Sequence, residues 1–332
     1  MQILYPVYYH DFQCLADKCP DSCCKDWTVQ IDETSAQYYR QLSGPLGDTL
    51  RDALQEESGD TILALTSDGR CPMWRKDGLC RIHAELGESH LCHTCKEFPR
   101  LRHDYGDFVE LGLELSCPEA ARLLLSQQDC TMLTSTLPGG DLPEYDGDAM
   151  KILLESRQII LNFLIQTTMP IEQALSVLLL YGYDVQICLD GGSFPSLDPQ
   201  KCLERAKSVA LSADKCQFFD FFKNLEILNP SWLQRLNAPQ GPPWRREHLA
   251  MARYLVQRYW LQAVSDYDLV GRVKFVVLSC LLVRELGGNV YQTAQQYSKE
   301  IENNLDNLEA VWDAAYTSPA LADRNLLGYL LA

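Results

Sequence analysis

Cysteines crowd one stretch of this chain, which reads Cys14-x4-Cys19-x3-Cys23-Cys24, then Cys71-x8-Cys80-x11-Cys92-x2-Cys95, then Cys117. Nine of the 14 cysteines fall there; Cys130 follows, and the rest are scattered as Cys188, Cys202, Cys216 and Cys280. Thiols this concentrated indicate a local cause: a disulfide framework, a zinc site or an iron–sulfur cluster. We expect the remainder of the chain to be a scaffold that holds this region.

Composition indicates an ordinary globular protein of 332 residues, with 46% hydrophobic and 22% charged residues. The formal net charge of −16 argues against a nucleic-acid backbone as the main partner, because phosphate binding requires a basic surface. The same charge suits a lysine-bearing partner, although it also serves solubility. We see no export signal and no apolar run long enough to span a bilayer, and we therefore expect a cytoplasmic protein with no membrane partner. In the cytoplasm, clustered cysteines hold metal more often than they form disulfides.

The first 133 residues are predicted to form a cysteine-rich metal-binding or iron–sulfur-binding region of short elements. Alternating residues predict strands at 27–32 and 108–115, which could pair as a small two-stranded sheet. A helix is predicted from Pro45 to about Glu57.

Residues 134–147 contain three glycines and two prolines and are predicted to be a linker. From residue 148 to 332, apolar residues recur at three- and four-residue spacing, which predicts an α-helical bundle. The expected fold class is mainly α: a cysteine-rich N-terminal region with a small sheet, followed by the bundle. Oligomeric state cannot be predicted. We expect the four scattered cysteines to be small core residues.

Thiolates bind zinc and the iron of iron–sulfur clusters because they are soft, anionic donors. The two cysteine groups and Cys117 could close one buried site between two loops. The spacing does not fix the metal: the run C-x3-C-x2-C of radical S-adenosylmethionine enzymes fails at Asp26, and the ferredoxin run is absent. His90 and His93 are further candidate ligands, and Cys92 could be a ligand or a spare. No nucleotide-binding or hydrolase motif is visible, so the residues alone name no reaction.

Several strings in order resemble the flagellin lysine-N-methylase family (FliB-like). They are Phe12-x-Cys14-x4-Cys19-x-Asp21-x-Cys23-Cys24-x-x-Trp27, Cys71-Pro72-Met73, Asp77-Gly78-Leu79-Cys80-x-Ile82, Leu86-Gly87-Glu88, Thr94-Cys95-x-x-Phe98-Pro99-Arg100 and Leu115-Ser116-Cys117-Pro118-Glu119-Ala120-Ala121-Arg122. The resemblance covers about residues 5–125. This part is also similar to a broader class of cysteine-rich (YkgJ-like) domains described as zinc- or iron-chelating.

The resemblance implies a [4Fe–4S] cluster, which zinc could replace, and transfer of methyl groups from S-adenosylmethionine to surface lysines of flagellin. The positions that match the family's cysteines, and so the implied metal ligands, are Cys14, Cys19, Cys23, Cys24, Cys71, Cys80, Cys95 and Cys117. Eight thiols exceed the four that one cubane cluster needs. No residue is identified as catalytic or as a binder of the methyl donor. The competing interpretation is a non-enzymatic thiolate metal-binding protein with a helical interaction domain.

Overall fold

Helices make up most of the chain after residue 146. The structure is a computed structural model that describes residues 1–57, 59–127, 131–139, 142–212 and 214–331. The helices of this part are α6 Gly147–Gln166, α7 Ile171–Leu189, α8 Pro199–Val209, α9 Lys215–Lys223, α10 Pro230–Asn237, α11 Arg246–Tyr259, α12 Leu269–Leu286, α13 Val290–Tyr297, α14 Leu305–Thr317 and α15 Asp323–Leu331. The prediction of a mainly helical protein is confirmed.

Asp and Asn side chains start most of these helices. Asp146, for example, accepts hydrogen bonds from two backbone N–H groups of the first turn of α6. Asp198 and Asp214 do the same for α8 and α9. Such caps satisfy N–H groups that have no partner within the helix, so short polar residues in the connectors set where each helix begins.

A four-stranded sheet joins the two ends of the cysteine-rich region. Its strands are β1 Gln2–Pro6, β5 Arg100–Asp104, β6 Phe108–Leu113 and β7 Met132–Thr136, in the order β5-β6-β1-β7. β1 runs parallel to β6, with Gln2 opposite Phe108, and antiparallel to β7. β7 overlaps the predicted linker 134–147, of which residues 140 and 141 lie outside the described residues. The division of the chain at this linker stays a prediction.

A second, three-stranded antiparallel sheet lies within the cysteine-rich region. Its strands are β2 Val29–Gln30, β3 Leu54–Glu57 and β4 Asp60–Leu63, in the order β2-β4-β3. The predicted pairing of residues 27–32 with 108–115 is therefore wrong: β2 pairs with β4, and β6 pairs with β1 and β5. The predicted helix through Glu57 is also too long, because α2 ends at Ala53. The remaining helices here are α1 Glu33–Gln41, α2 Pro45–Ala53, α3 Arg81–Leu86, α4 His93–Glu97 and α5 Pro118–Ser126.

The buried apolar side chains form two clusters. The smaller one draws on residues 29–92 and includes Tyr39, Leu50 and Met73. The larger one is centred on the helices after residue 146, but it also takes in Phe108, Leu115 and the buried face of α5. The four-stranded sheet and α5 thus pack with the helical bundle, and the cysteine-rich segment between β1 and β5 has a small core of its own.

Candidate metal centre

The first cysteine group is a loop without regular strands. A single 3-10 turn, Ala16–Lys18, separates Cys14 from Cys19. The backbone N–H of Cys24 donates to Ser22 Oγ at 3.1 Å, and Trp27 Nε1 donates to the carbonyl of Cys23 at 2.8 Å. These local bonds bend the chain so that its thiols come to one end of the loop.

Backbone bonds join the second group to the first. The N–H of Cys71 donates to the carbonyl of Cys24 at 2.7 Å, beside a bridge between Lys25 and Arg70. A second bridge pairs Trp74 with Cys80 across the turn at Gly78, where φ is +82°. Glycine adopts this conformation without the strain that a side chain would add. The two strings that are distant in sequence therefore meet backbone to backbone.

The third segment, Cys92 to Cys95, is held by the first helix and strand of the region. Asp32 caps α1 and also accepts a hydrogen bond from the N–H of His93 at 2.8 Å. Thr94 Oγ1 donates to the carbonyl of Gln30 at 2.9 Å, and Tyr39 OH donates to the carbonyl of His90 at 2.7 Å. α4 therefore presents Cys92 and Cys95 from a fixed position.

Packing divides the cysteines into two sets. Five of them belong to the smaller apolar cluster, and we call these the inner thiols: Cys24, Cys71, Cys80, Cys92 and Cys95. Cys117 instead belongs to the larger cluster. Together with Cys14 and Cys19 it forms what we call the outer thiols. Cys23, which is exposed, follows Cys19 in the loop and precedes Cys24.

The pKa values of the inner thiols and of Cys23 are shifted by one another, which indicates that these thiols are neighbours. A hydrogen bond from Cys24 lowers the pKa of Cys23 to about 7, and the same bond raises the pKa of Cys24. Cys92 and Cys95 form a similar pair: a hydrogen bond from Cys95 lowers the pKa of Cys92, and the same bond raises the pKa of Cys95. Burial raises the pKa of Cys71 to about 11, and the nearby thiols of Cys80, Cys92 and Cys23 add to this effect. Six thiols thus converge on one small region.

The outer thiols lie near Cys23. Burial raises the pKa of Cys117 to about 12, with smaller contributions from Cys19 and Cys23. Burial also raises the pKa of Cys19, and the thiols of Cys14 and Cys23 act on it in the same direction. Cys23 therefore lies between the two sets and influences members of both.

The eight predicted ligands all lie in these two sets or at Cys23, and Cys92, left open by the sequence, is an inner thiol. Their role as ligands stays a prediction, because no group of three or more His, Cys, Asp or Glu side chains in the described parts of the chain is arranged to hold a metal ion. Every described cysteine is a free thiol. The donor set fits a thiophilic metal in its chemistry, since soft anionic sulfur is what zinc and iron–sulfur iron prefer.

The two candidate histidines differ in their surroundings, and their role as ligands stays a prediction. His90 Nδ1 lies 2.8 Å from the carbonyl of Leu86, and its ring packs 5.0 Å from that of Tyr38. His93 is exposed at the start of α4. Of the scattered cysteines, the predicted core position is confirmed for Cys188, Cys202 and Cys280. It is wrong for Cys216, which is exposed in the first turn of α9.

Sequence reasoning missed two residues that touch the cysteine loop. Lys299 Nζ donates to Asp21 Oδ2 at 2.7 Å and to the carbonyl of Ser22 at 3.2 Å. Gln295 Nε2 donates to the same Asp21 oxygen and to the carbonyl of Ser116, each at 2.8 Å. Both side chains come from α13 and the turn after it, so no local pattern around the cysteines could have identified them.

Three cavities or grooves lie near the four-stranded sheet. Two small cavities between this sheet and α11 have volumes of about 30 and 20 Å³, which is room for water. An open groove of about 620 Å³ lies between the β5–β6 turn and the start of α6. Its lining includes Asp107, Tyr145 and Glu155, and its volume is in the range of small-molecule sites. In the described residues no helix is long and apolar enough to cross a bilayer.

Three proteins of known description are similar to this chain. It is 32% identical over 141 residues to the flagellar biosynthetic protein FliU of Salmonella muenchen, which covers 39% of this chain and 79% of FliU. It is 32% identical over 142 residues to the lysine-N-methylases of Salmonella choleraesuis and Salmonella typhimurium. Those matches cover 39% of this chain and 34% of each methylase, so the matched region spans about a third of their length.

These matches place the chain in a family. It belongs to the FliB-like flagellin lysine methylase family, as the cysteine motifs predicted. No family model and no solved structure matches it.

Proposed function

We propose that this chain is a cytoplasmic protein-lysine N-methyltransferase that transfers methyl groups from S-adenosylmethionine to surface lysines of flagellin. The observation that carries the proposal is the similarity to FliU and to two lysine-N-methylases. The net charge of −16 supports it, because an acidic protein attracts lysine-rich surfaces.

We also propose that the thiols hold a [4Fe–4S] cluster, whose four ligands come from the inner thiols and Cys23. A bound cluster would supply one-electron redox chemistry at this place. The protein's own part is to present the thiols: the Cys24–Cys71 backbone bond aligns two segments, and Asp32 and Tyr39 fix the third. The buried setting of Cys71 and Cys92 would keep water from the sulfur atoms.

Methyl transfer is tested with anaerobically purified protein, S-adenosylmethionine and flagellin, followed by mass spectrometry of flagellin peptides. The expected result is mass increments of about 14 Da on lysine, one for each methyl group added. The matched control is Cys216→Ser, which changes an exposed thiol outside both sets and should retain full transfer. Unmodified flagellin after incubation with metal-loaded protein would contradict the proposal.

The ligand assignment has a separate test. Iron and acid-labile sulfide are measured in Cys71→Ser, an inner substitution, and in Cys14→Ser, an outer one. We expect Cys71→Ser to lose most of its iron and Cys14→Ser to retain it. Iron at the wild-type level in Cys71→Ser would rule out Cys71 as a ligand. Stoichiometric zinc without iron in anaerobically prepared wild-type protein would rule out the cluster.

A non-enzymatic thiolate metal-binding protein is the second candidate. The observation that favours it is that the sequence shows no recognisable nucleotide-binding motif. Calorimetry with S-adenosylmethionine separates the two functions. Binding of the donor supports the methyltransferase, whereas its absence in the metal-loaded protein supports the carrier or structural role.

A further inference from the structure

A helical turn from the far end of the chain reaches the cysteine loop. α13 runs into a π-helical turn, Ser298–Glu302, which carries Lys299. Wide turns of this kind are often found at functional sites, because the extra residue redirects side chains. Here the redirected side chain is Lys299, which is 15% exposed and whose ammonium group lies 2.7 Å from Asp21.

Asp21 is fixed from three sides. Its Oδ2 accepts from Lys299 and from Gln295, and its Oδ1 pairs with Lys25 at 2.7 Å. Each carboxylate oxygen thus has a cationic partner, and the neighbouring carbonyl of Ser22 accepts from Lys299 as well. An aspartate held in this way cannot change its rotamer without breaking several charge-assisted bonds.

The same contacts connect the two sets of thiols. Asp21 lies between Cys19 and Cys23 in the loop, and Gln295 also bonds to the carbonyl of Ser116, directly before Cys117. One glutamine amide therefore links the cysteine loop to the start of α5. Without these bonds, Cys23 and Cys117 would depend on an exposed loop for their relative position.

Charge gives Lys299 a second effect. Several thiolates gathered around a metal ion carry net negative charge, and this chain is already strongly acidic. The Lys299 ammonium lies 3.2 Å from the carbonyl of Ser22, the residue directly before Cys23. A cation at this place would offset part of the charge of the bound centre.

We propose that Lys299 is a positioning residue of the thiol centre: through Asp21, and together with Gln295, it fixes the Cys19–Cys24 loop against Cys117 and offsets thiolate charge. The inference rests on the metal site of the proposed function and not on methyl transfer. Contacts that orient metal ligands are worth about 10- to 100-fold in metal affinity in other proteins. Lys299 should therefore affect metal binding although it is no ligand itself.

The test is a titration of reduced, metal-free protein with Co²⁺, followed by the absorption of thiolate-to-cobalt charge transfer. We expect Lys299→Met to weaken Co²⁺ binding by about 10- to 100-fold. Lys299→Arg, which keeps the charge and can still reach Asp21, should recover most of the affinity. The matched control is Lys223→Met, which removes a lysine paired with Asp220 at 3.2 Å on α9 and should bind Co²⁺ like the wild type.

Two results would overturn the inference. One is Co²⁺ affinity and absorption in Lys299→Met equal to those of Lys223→Met; the other is a wild-type protein that does not bind Co²⁺ through thiolates. If Lys299→Met does not fold, Lys299→Gln takes its place, since the amide can donate to Asp21 but carries no charge. Its affinity should then lie between those of the wild type and of Cys71→Ser, and a wild-type value would again overturn the inference. If the wild-type protein transfers no methyl groups, the proposed enzyme activity is refuted, but the result of the Co²⁺ titration is unaffected.

Discussion

Arg157 on α6 donates two hydrogen bonds to Glu110 on β6, from Nη1 to Oε2 at 2.8 Å and from Nη2 to Oε1 at 2.5 Å. The side chains are only 7% and 5% exposed. Arg157 Nη1 also donates to the carbonyl of Gln257 at 3.3 Å. This bidentate pair therefore joins the four-stranded sheet to two helices of the bundle.

Removal of one partner of the Arg157–Glu110 pair should strongly destabilise the folded protein. In Arg157→Met the Glu110 carboxylate stays buried without its cation, so we expect a loss of about 3–5 kcal/mol in the free energy of unfolding. The control is Arg102→Met on β5, whose pair with Asp104 is about half exposed and should contribute about 0–1 kcal/mol. Urea unfolding measures both. Equal losses in the two variants would contradict a buried, structural pair.

Stability should also fall in mild acid because of His248. Its ring is 1% exposed, Nδ1 accepts from the N–H of Arg245 at 3.0 Å, and burial lowers the pKa of His248 to about 4. The charged neighbours Arg245 and Arg284 favour the neutral ring, whereas Glu247 opposes them. The unfolded chain takes up this proton near pH 6.5, so the contribution is complete above that pH and is lost progressively as pH falls towards 4.

The expected loss from this histidine is up to about 3 kcal/mol between pH 6.5 and pH 4. His248→Asn keeps an acceptor for the Arg245 N–H but cannot be protonated there. The difference in unfolding free energy between wild type and variant should therefore shrink as the pH falls from 6.5 to 4. A difference that stays constant over this range would show that His248 does not titrate in this way.

Close packing of α7 on α12 should make Gly182 sensitive to substitution. A Cβ at Gly182 would lie 2.8 and 2.9 Å from the two γ-carbons of Val273, nearer than such atoms can approach. We expect Gly182→Ala to destabilise the protein by about 1–3 kcal/mol and the double variant with Val273→Ala to recover part of the loss. Gly147→Ala, with no atom within 4 Å of its added Cβ, is the control and should be neutral or stabilising. Thermal unfolding at one pH compares the three variants.

Loss of one inner thiol should loosen only the segment that contains the smaller core. If metal binding supplies much of the folding free energy there, Cys95→Ser in metal-loaded protein should speed hydrogen exchange within residues 14–97. The strands β1 and β6 and helix α5 should keep their protection, because they pack with the larger core. Cys216→Ser is the control and should leave both parts unchanged. Wild-type protection of residues 14–97 in Cys95→Ser would show that Cys95 is not a ligand.

Local patterns predicted the helices well because each carries its own information. α7 and α12 repeat apolar residues at helical spacing. The caps at Asp198 and Asp214 were recognised only in the structure. The backbone bond between Cys24 and Cys71 brings two of the cysteine strings together, whereas the role of their thiols as ligands stays a prediction.

Partners distant in sequence could not be predicted in this way. Leu54–Glu57 is rich in helix-forming residues and becomes a strand only because β4 lies beside it. β1 is defined by its pairing with β6, more than 100 residues later. Lys299 reaches Asp21 from the opposite end of the chain. In each case the deciding interaction is tertiary, and nothing in the local residues encodes it.

The parallel pairing of β1 with β6 has a consequence for how the protein matures. It closes the intervening hundred or so residues into a loop whose two ends are fixed by the sheet, and closing a loop of this length costs only slightly more than closing a shorter one. The bundle and the four-stranded sheet can therefore fold independently of metal binding by the cysteine-rich segment between β1 and β6. If the thiols bind metal as proposed, binding can follow the folding of the bundle, and a shortage of metal would leave the bundle folded and only the cysteine-rich segment incompletely ordered.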